Sequence, residues 1–157
     1  MRSTLCRITL VLWIVTIVAA GWFLLQGWTR PGTDGRMQIL LAPAERDLIL
    51  GEMRMLLKAV HGVVTGLAGQ DQAADRTQIE QAARSAGMGM AADVNPALMA
   101  KLPLPFTQMG MSIHKDMDAL ADAVVQKETQ QEILQRLSSM TARCTTCHDL
   151  YRLSTER

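Results

Sequence analysis

Tyrosine occurs once in this chain and phenylalanine twice, with only three cysteines and three histidines among 157 residues. Each scarcity excludes something. A core poor in aromatic rings has to be filled by aliphatic and thioether side chains. The eleven methionines supply the thioethers, soft enough to pack around an irregular or bulky guest. No excess of one charge exists either: 16 Lys and Arg against 15 Asp and Glu leave a net +1. Without Arg2, Arg7 and Arg30 near the N-terminus, 13 basic residues face 15 acidic ones. No basic patch stands out, so nothing points to a nucleic-acid partner. Alternating runs of β-branched residues are missing as well, whereas apolar residues recur at spacings of three and four. That pattern predicts helices and no strands.

One long apolar run is present. Residues 8–28, ITLVLWIVTIVAAGWFLLQGW, contain no charge and a single amide, Gln26. As a helix the run reaches roughly 30 Å, enough to cross a bilayer. Arg2 and Arg7 precede it, so the positive-inside rule leaves the N-terminus in the cytoplasm and exports everything after the span. Trp22 and Trp28 fall towards the outer interface, where amphipathic rings are favoured. The expected location is a bacterial inner membrane, crossed once, with the following domain in the periplasm. VAA at 18–20 would suit signal-peptide cleavage, but WFLL continues the apolar run past it, beyond what a signal sequence needs. A retained anchor over 1–28 is therefore expected, followed by a Pro/Gly linker over 29–41 and one domain over 42–157. Cys6, on the cytoplasmic flank, is read as an incidental thiol.

Four helices are expected in that domain. The first starts near Pro43 and carries a seam of Ile49, Met53, Leu56, Val60, Val63 and Leu67, ending before Gly69. The second, short and weak, follows Asp75, with Thr77 and Glu80 spaced as a capping box. A connection over 88–104 holds Asn95-Pro96 and LPLP, which cannot be regular helix throughout. The third begins around Pro105, with Phe106, Gly110, Ile113, Met117, Leu120 and Val124 on one face. The fourth runs from about Glu128 to Leu153 along Ile133, Leu137, Met140, Cys144, Cys147 and Tyr151. Heptad-like stripes with brief connections predict an all-α antiparallel four-helix bundle behind one N-terminal transmembrane helix.

Two of the three cysteines sit together near the C-terminus, in ARCTTCHDLYR, where Cys144 and Cys147 enclose two threonines and His148 follows at once. A disulfide across two intervening residues would staple nothing distant. Three chemistries use such a cluster. A redox dithiol needs the pair at a helix N-terminus in a βαβ unit, where the dipole lowers the thiol pKa; here it is near a helix C-terminus. Structural zinc needs a fourth ligand and commonly a second ligand pair, yet only His61 and His114 remain, each alone. Covalent haem attachment uses all three residues, two thioethers and an axial imidazole, and C-x-x-C-H in an exported helical chain is its pattern. His148, four residues after Cys144, shares its side of the helix, so the cluster is expected to point into the bundle.

With CTTCHDLYR at the C-terminal end of a four-helix domain, residues 42–157 resemble the class II c-type cytochromes, the cytochrome c′ group. There the motif is followed by an aromatic and a basic residue, here Tyr151 and Arg152. The resemblance implies one covalent haem c on Cys144 and Cys147 with His148 as proximal ligand. The first and last helices then run antiparallel, and Met53 is the seam residue level with His148 whose sulfur can bind iron. Family registration puts Met53 at the sixth-ligand position of low-spin members; a shift of four puts Leu57 there and leaves the iron five-coordinate. Met55 points elsewhere, His61 reads as a polar or structural histidine, and His114 as a residue of a solvated face. Arg54 and Lys58 are candidates to approach haem propionates, with solvated charges as the plainer reading. The resemblance implies single-electron transfer to periplasmic or membrane redox proteins, with nitric oxide or carbon monoxide binding as the alternative. No catalytic constellation suggests an enzyme, and family members that pair through their first two helices make a homodimer an expectation. Intact-mass measurement of the membrane fraction should give a chain that begins at the N-terminal methionine; a mass beginning after Ala20 would replace the anchor with a cleaved signal.

Overall fold

A computed structural model describes residues 2–69, 75–91 and 95–155, without the side chains of residues 2 and 3, so Arg2 and residues 156–157 lie outside the described side chains. Helix α1 (Arg2–Gln26) contains the apolar run. Its Thr4–Gln26 stretch, with mean hydropathy 2.5 and none of it buried, is long and apolar enough to cross a membrane. Leu12, Trp13 and Val18 are 61–65% exposed, so no other part of the protein covers them. A helix apolar all round needs a nonaqueous surrounding. Gly27 ends α1 at φ +58°, and a Cβ there would meet the Lys101 carbonyl oxygen at 2.5 Å, so only glycine allows this close turn. Trp28 N–H then donates to that carbonyl at 2.8 Å. The Lys101 ammonium sits 5.0 Å from the centre of the Trp28 ring and bonds both Glu45 oxygens at 2.8 and 2.9 Å. The end of α1 and the rest of the protein meet there.

The expectation of no strands is corrected. β1 (Thr29–Pro31), β2 (Met37–Leu41) and β3 (Tyr151–Thr155) form a three-stranded sheet in that order. β1 and β2 are antiparallel; β2 and β3 are parallel, from Met37 opposite Tyr151 to Leu41 opposite Thr155. The linker thus supplies two of the three strands, and the fourth helix stops at Leu150 rather than Leu153. Periodicity missed this because each strand is five residues or fewer. Spacings that short fit helix and strand alike. Ile39 and Leu41 are completely buried and anchor β2 inward.

The domain's long helices are α2 (Pro43–Leu67), α3 (Arg76–Arg84), α6 (Leu104–Val125) and α7 (Gln130–Leu150), close to the predicted spans. Short α4 (Met88–Ala91) and α5 (Pro96–Met99) occupy the Pro-rich connection. Asp75 caps α3 by accepting from Gln78 N–H at 3.0 Å, in place of the expected Thr77/Glu80 box. The start of α7 has the box instead: Thr129 accepts from Glu132 N–H, and the Glu132 carboxylate accepts from Thr129 N–H at 2.7 Å.

Two apolar clusters result. The larger joins all four long helices through Val63, Ile79, Met117, Leu120, Ile133 and Met140. Gly62 lets α2 and α3 touch, since a Cβ there would lie 2.7 Å from that of Ala82. The smaller joins the sheet to the start of α2, α5 and the start of α6 through Ile39, Leu41, Ile49, Leu98, Leu102 and Phe106, with Cys147 from α7. Ile39→Ala should cost about 2–5 kcal/mol, the range for emptying a fully buried aliphatic site. Urea unfolding measures this, and a loss below about 1 kcal/mol would mean that the sheet does not hold the domain's ends.

Candidate functional site

The last turn of α7 leaves the larger cluster and enters the smaller one, carrying the cysteine pair across the boundary. Cys144 is half-buried against the larger cluster, its sulfur 3.9 Å from the Met140 carbonyl. Cys147, 9% exposed, belongs to the smaller. Burial raises both thiols: Cys147 is pushed up to about 11, with a smaller contribution from neighbouring Cys144, and Cys144 rises for the same reason against the pull of Arg143. Both are therefore protonated at neutral pH, the opposite of an activated dithiol.

His148 is exposed, which corrects the expectation that the whole cluster points into the core. α7 ends two residues later and β3 turns away to pair with β2, so one side of that last turn, the side of His148, is open. The ring instead lines a hollow of about 190 Å³ together with Cys147. Met53 and Leu50 of α2 form another wall, and Phe106, Tyr151 and Leu153 complete an apolar lining. Phe106 meets Tyr151 edge to face, ring centres 5.5 Å apart. Met53 thus shares the hollow with His148, whereas Leu57, its rival register position, is 69% exposed.

Three arginines rim the hollow: Arg36, Arg46 and Arg152. Arg36 is fixed by Asp34 at 2.7 and 2.9 Å and donates to the His148 carbonyl at 3.4 Å, while Arg152 reaches Asp34 at 3.3 Å. The Arg36 hydrogen bond to Asp34 is the main cause holding that carboxyl below its ordinary range. Arg54 and Lys58 are exposed and line no part of the hollow, so these three arginines are the cations beside it. Arg36 and Arg46 are not legible as site residues, because pairing of β2 with β3 brings the linker and the first turn of α2 to the motif. Met55 and His61 are exposed, and Cys6 lies on the exposed surface of α1.

No protein-family model, curated protein or solved structure matches this chain. The donor set must therefore be judged on its own chemistry. Among the described residues, no three His, Cys, Asp or Glu side chains gather into a metal-holding group. One thiol, one imidazole, one thioether, an apolar lining and a cationic rim at the hollow, with the second thiol, Cys144, one turn back along α7 against the larger cluster, suit a porphyrin with carboxylate arms. The hollow is below the roughly 300–1,000 Å³ of most small-molecule sites. It would have to widen around such a ring, and Met53 in its wall, with Met99 and Met109 packed against the same apolar cluster, are the adaptable side chains that can yield.

His114 corrects a second expectation. It is 3% exposed, not on a solvated face, with Nδ1 2.8 Å from the Ala86 carbonyl and Nε2 3.1 Å from Glu52 Oε1. Both ring nitrogens face acceptors, an arrangement that favours the protonated ring. The Glu52 hydrogen bond leads the causes that raise its pKa above the ordinary 6.5, against desolvation. A raised histidine contributes stability that is full below about pH 6.5 and is lost as pH rises through its folded-state pKa. Urea unfolding of wild type and His114→Gln at about pH 5.5 and about pH 9 should show the larger wild-type advantage at the acidic end. An advantage independent of pH would mean that the ring is neutral in the folded protein.

Proposed function

We propose that this protein is a membrane-anchored, exported c-type cytochrome that passes single electrons through one covalent haem. The observation that carries the reading is the shared hollow: Cys147 and His148 from the end of α7 face Met53 from α2 across an apolar lining. Gly62 of α2 packs on Ala82 of α3, Arg84 of α3 bonds Asp122 of α6, and Gln130 of α7 reaches the Leu67 carbonyl of α2. These contacts support an antiparallel four-helix arrangement of the cytochrome c′ type. Arg7 ahead of the uncharged run of α1, and Trp22 and Trp28 towards its far end, support an inward N-terminus and a periplasmic domain.

When bound, the haem iron supplies one-electron exchange between its ferric and ferrous states. The chain's own residues do the rest. Cys144 and Cys147 would tether the group through their sulfurs, and His148 and Met53, which line the hollow with Cys147, would offer it an imidazole and a thioether. Leu50, Phe106, Tyr151 and Leu153 keep water out, which limits the reorganisation that a change of charge demands. Arg36, Arg46 and Arg152 stand where carboxylates would be neutralised. A Met/His pair raises the potential. Partners are then periplasmic or membrane redox proteins that approach the exposed His148 side.

Full-length protein from a host competent in haem attachment should come out red, with a mass one haem above the polypeptide and a positive pyridine haemochrome. Colourless protein of bare-chain mass overturns the reading. Met53→Leu should convert a low-spin ferric spectrum with a methionine–sulfur band into a high-spin one that binds carbon monoxide when reduced. An unchanged spectrum removes Met53 as ligand, and a high-spin wild type makes gas binding the better function.

A further inference from the structure

A second hollow, of about 400 Å³, shares Phe106 with the first and lies between α2 and α6. Consecutive residues of α2 face the two: Met53 lines the smaller and Glu52 the larger. Its volume is within the range of small-molecule sites. Glycines make the room: Gly110 on α6 would put a Cβ into open space, and Gly51 faces it from α2. Met55, Met90, Met99 and Met111 supply four thioethers around Phe106. Sulfur against ring edges is a favourable contact, so this lining suits a flat aromatic guest better than an aliphatic chain.

The polar wall is the Glu52–His114 pair. Both imidazole nitrogens are occupied, by Glu52 and by the Ala86 carbonyl, so histidine has no donor left to offer. The second oxygen of Glu52 carries no hydrogen bond among the described residues, and its side chain is 31% exposed at the hollow. With Oε1 taken by the imidazole at 3.1 Å, the other carboxylate oxygen is the acceptor that a neutral hydroxyl on a guest would meet. Location selects the source. Leu102, Phe106 and Gly110 line the hollow, and Lys101, whose carbonyl receives Trp28 N–H at the exit of α1, precedes them by nine residues or fewer. Three of those steps precede α6 and six are helical, so the lining begins within roughly 20 Å of the exit of α1.

From the lining, the acceptor and the nearness of the anchor, we infer that the hollow between α2 and α6 binds the ring of a membrane-dissolved phenol or hydroquinone, whose hydroxyl donates to Glu52. The inference does not depend on what Cys144 and Cys147 carry.

Calorimetric titration of the full chain in lipid nanodiscs tests it, with 2-naphthol as probe and empty nanodiscs subtracted. Saturable binding to one site per chain is expected, weakened at least about tenfold in Gly110→Leu. Urea unfolding of that variant should show no loss of stability, because leucine is the better helix former. Gly51→Leu, from the facing wall, should give the same weakening. 2-Methoxynaphthalene, which has no donor, should bind at least about fivefold more weakly than 2-naphthol. 4-Dodecylphenol dissolved in the nanodisc lipid should displace the probe. Any one of four results overturns the inference: no saturable binding above the blank, unchanged affinity in both folded variants, equal binding of the ether, or no displacement from the lipid side.

Discussion

Parallel pairing of β2 with β3 is the constraint on which the rest depends. It ties residues 37–41 to residues 151–155, joining the two ends of the domain. Because α2 leaves β2 after one residue and α7 enters β3 directly, the pairing also holds the first turns of α2 beside the last turns of α7. The buried side chains of Ile39 and Leu41 make the junction water-free, so its hydrogen bonds are hard to exchange for bonds to solvent. Met53 faces Cys147 and His148 for that reason.

The two apolar clusters divide the work. The larger is made of buried Leu, Ile, Val, Ala and Met from four helices. The smaller lies under the sheet, admits Cys147, and has Met53, Met99 and Met109 along its edge. Dense packing of branched aliphatics resists change of volume, whereas thioethers re-pack at low cost. Rigid helices therefore carry the reactive residues while the walls around them are adaptable. The scarcity of aromatic rings has a structural counterpart: Phe106 and Tyr151, two of the three Phe and Tyr residues, stand at the same hollow.

Much of the helical part was legible. The seam of α2, the face of α6 and the stripe of α7 all follow the three-and-four spacing, and their core positions are buried or half-buried as that spacing requires. Legibility failed where partners are remote or the segment is short. MQILL and YRLST have no strand signal strong enough to stand alone, and 109 residues separate their facing ends. His114 reads as a surface residue beside Lys115 and Asp116, and only the carbonyl of Ala86 and the carboxylate of Glu52 explain its burial. Asp75 was seen ahead of α3, yet the competing Thr77/Glu80 spacing was read as the cap, because two overlapping capping patterns cannot be ranked without backbone geometry.

By itself the sequence determined the apolar N-terminal helix, the four long helices after it, and the grouping of two thiols and an imidazole at the end of the last one. These are local matters: hydrophobic run length, helical periodicity and covalent neighbourhood are written in consecutive residues. Tertiary structure alone decided that the linker becomes a sheet, that Arg36 and Arg46 join the rim of the hollow, that His148 is exposed, and that Glu52 and His114 meet beside a second hollow. Each of these requires groups tens of residues apart to lose water together, and no window of sequence contains both partners.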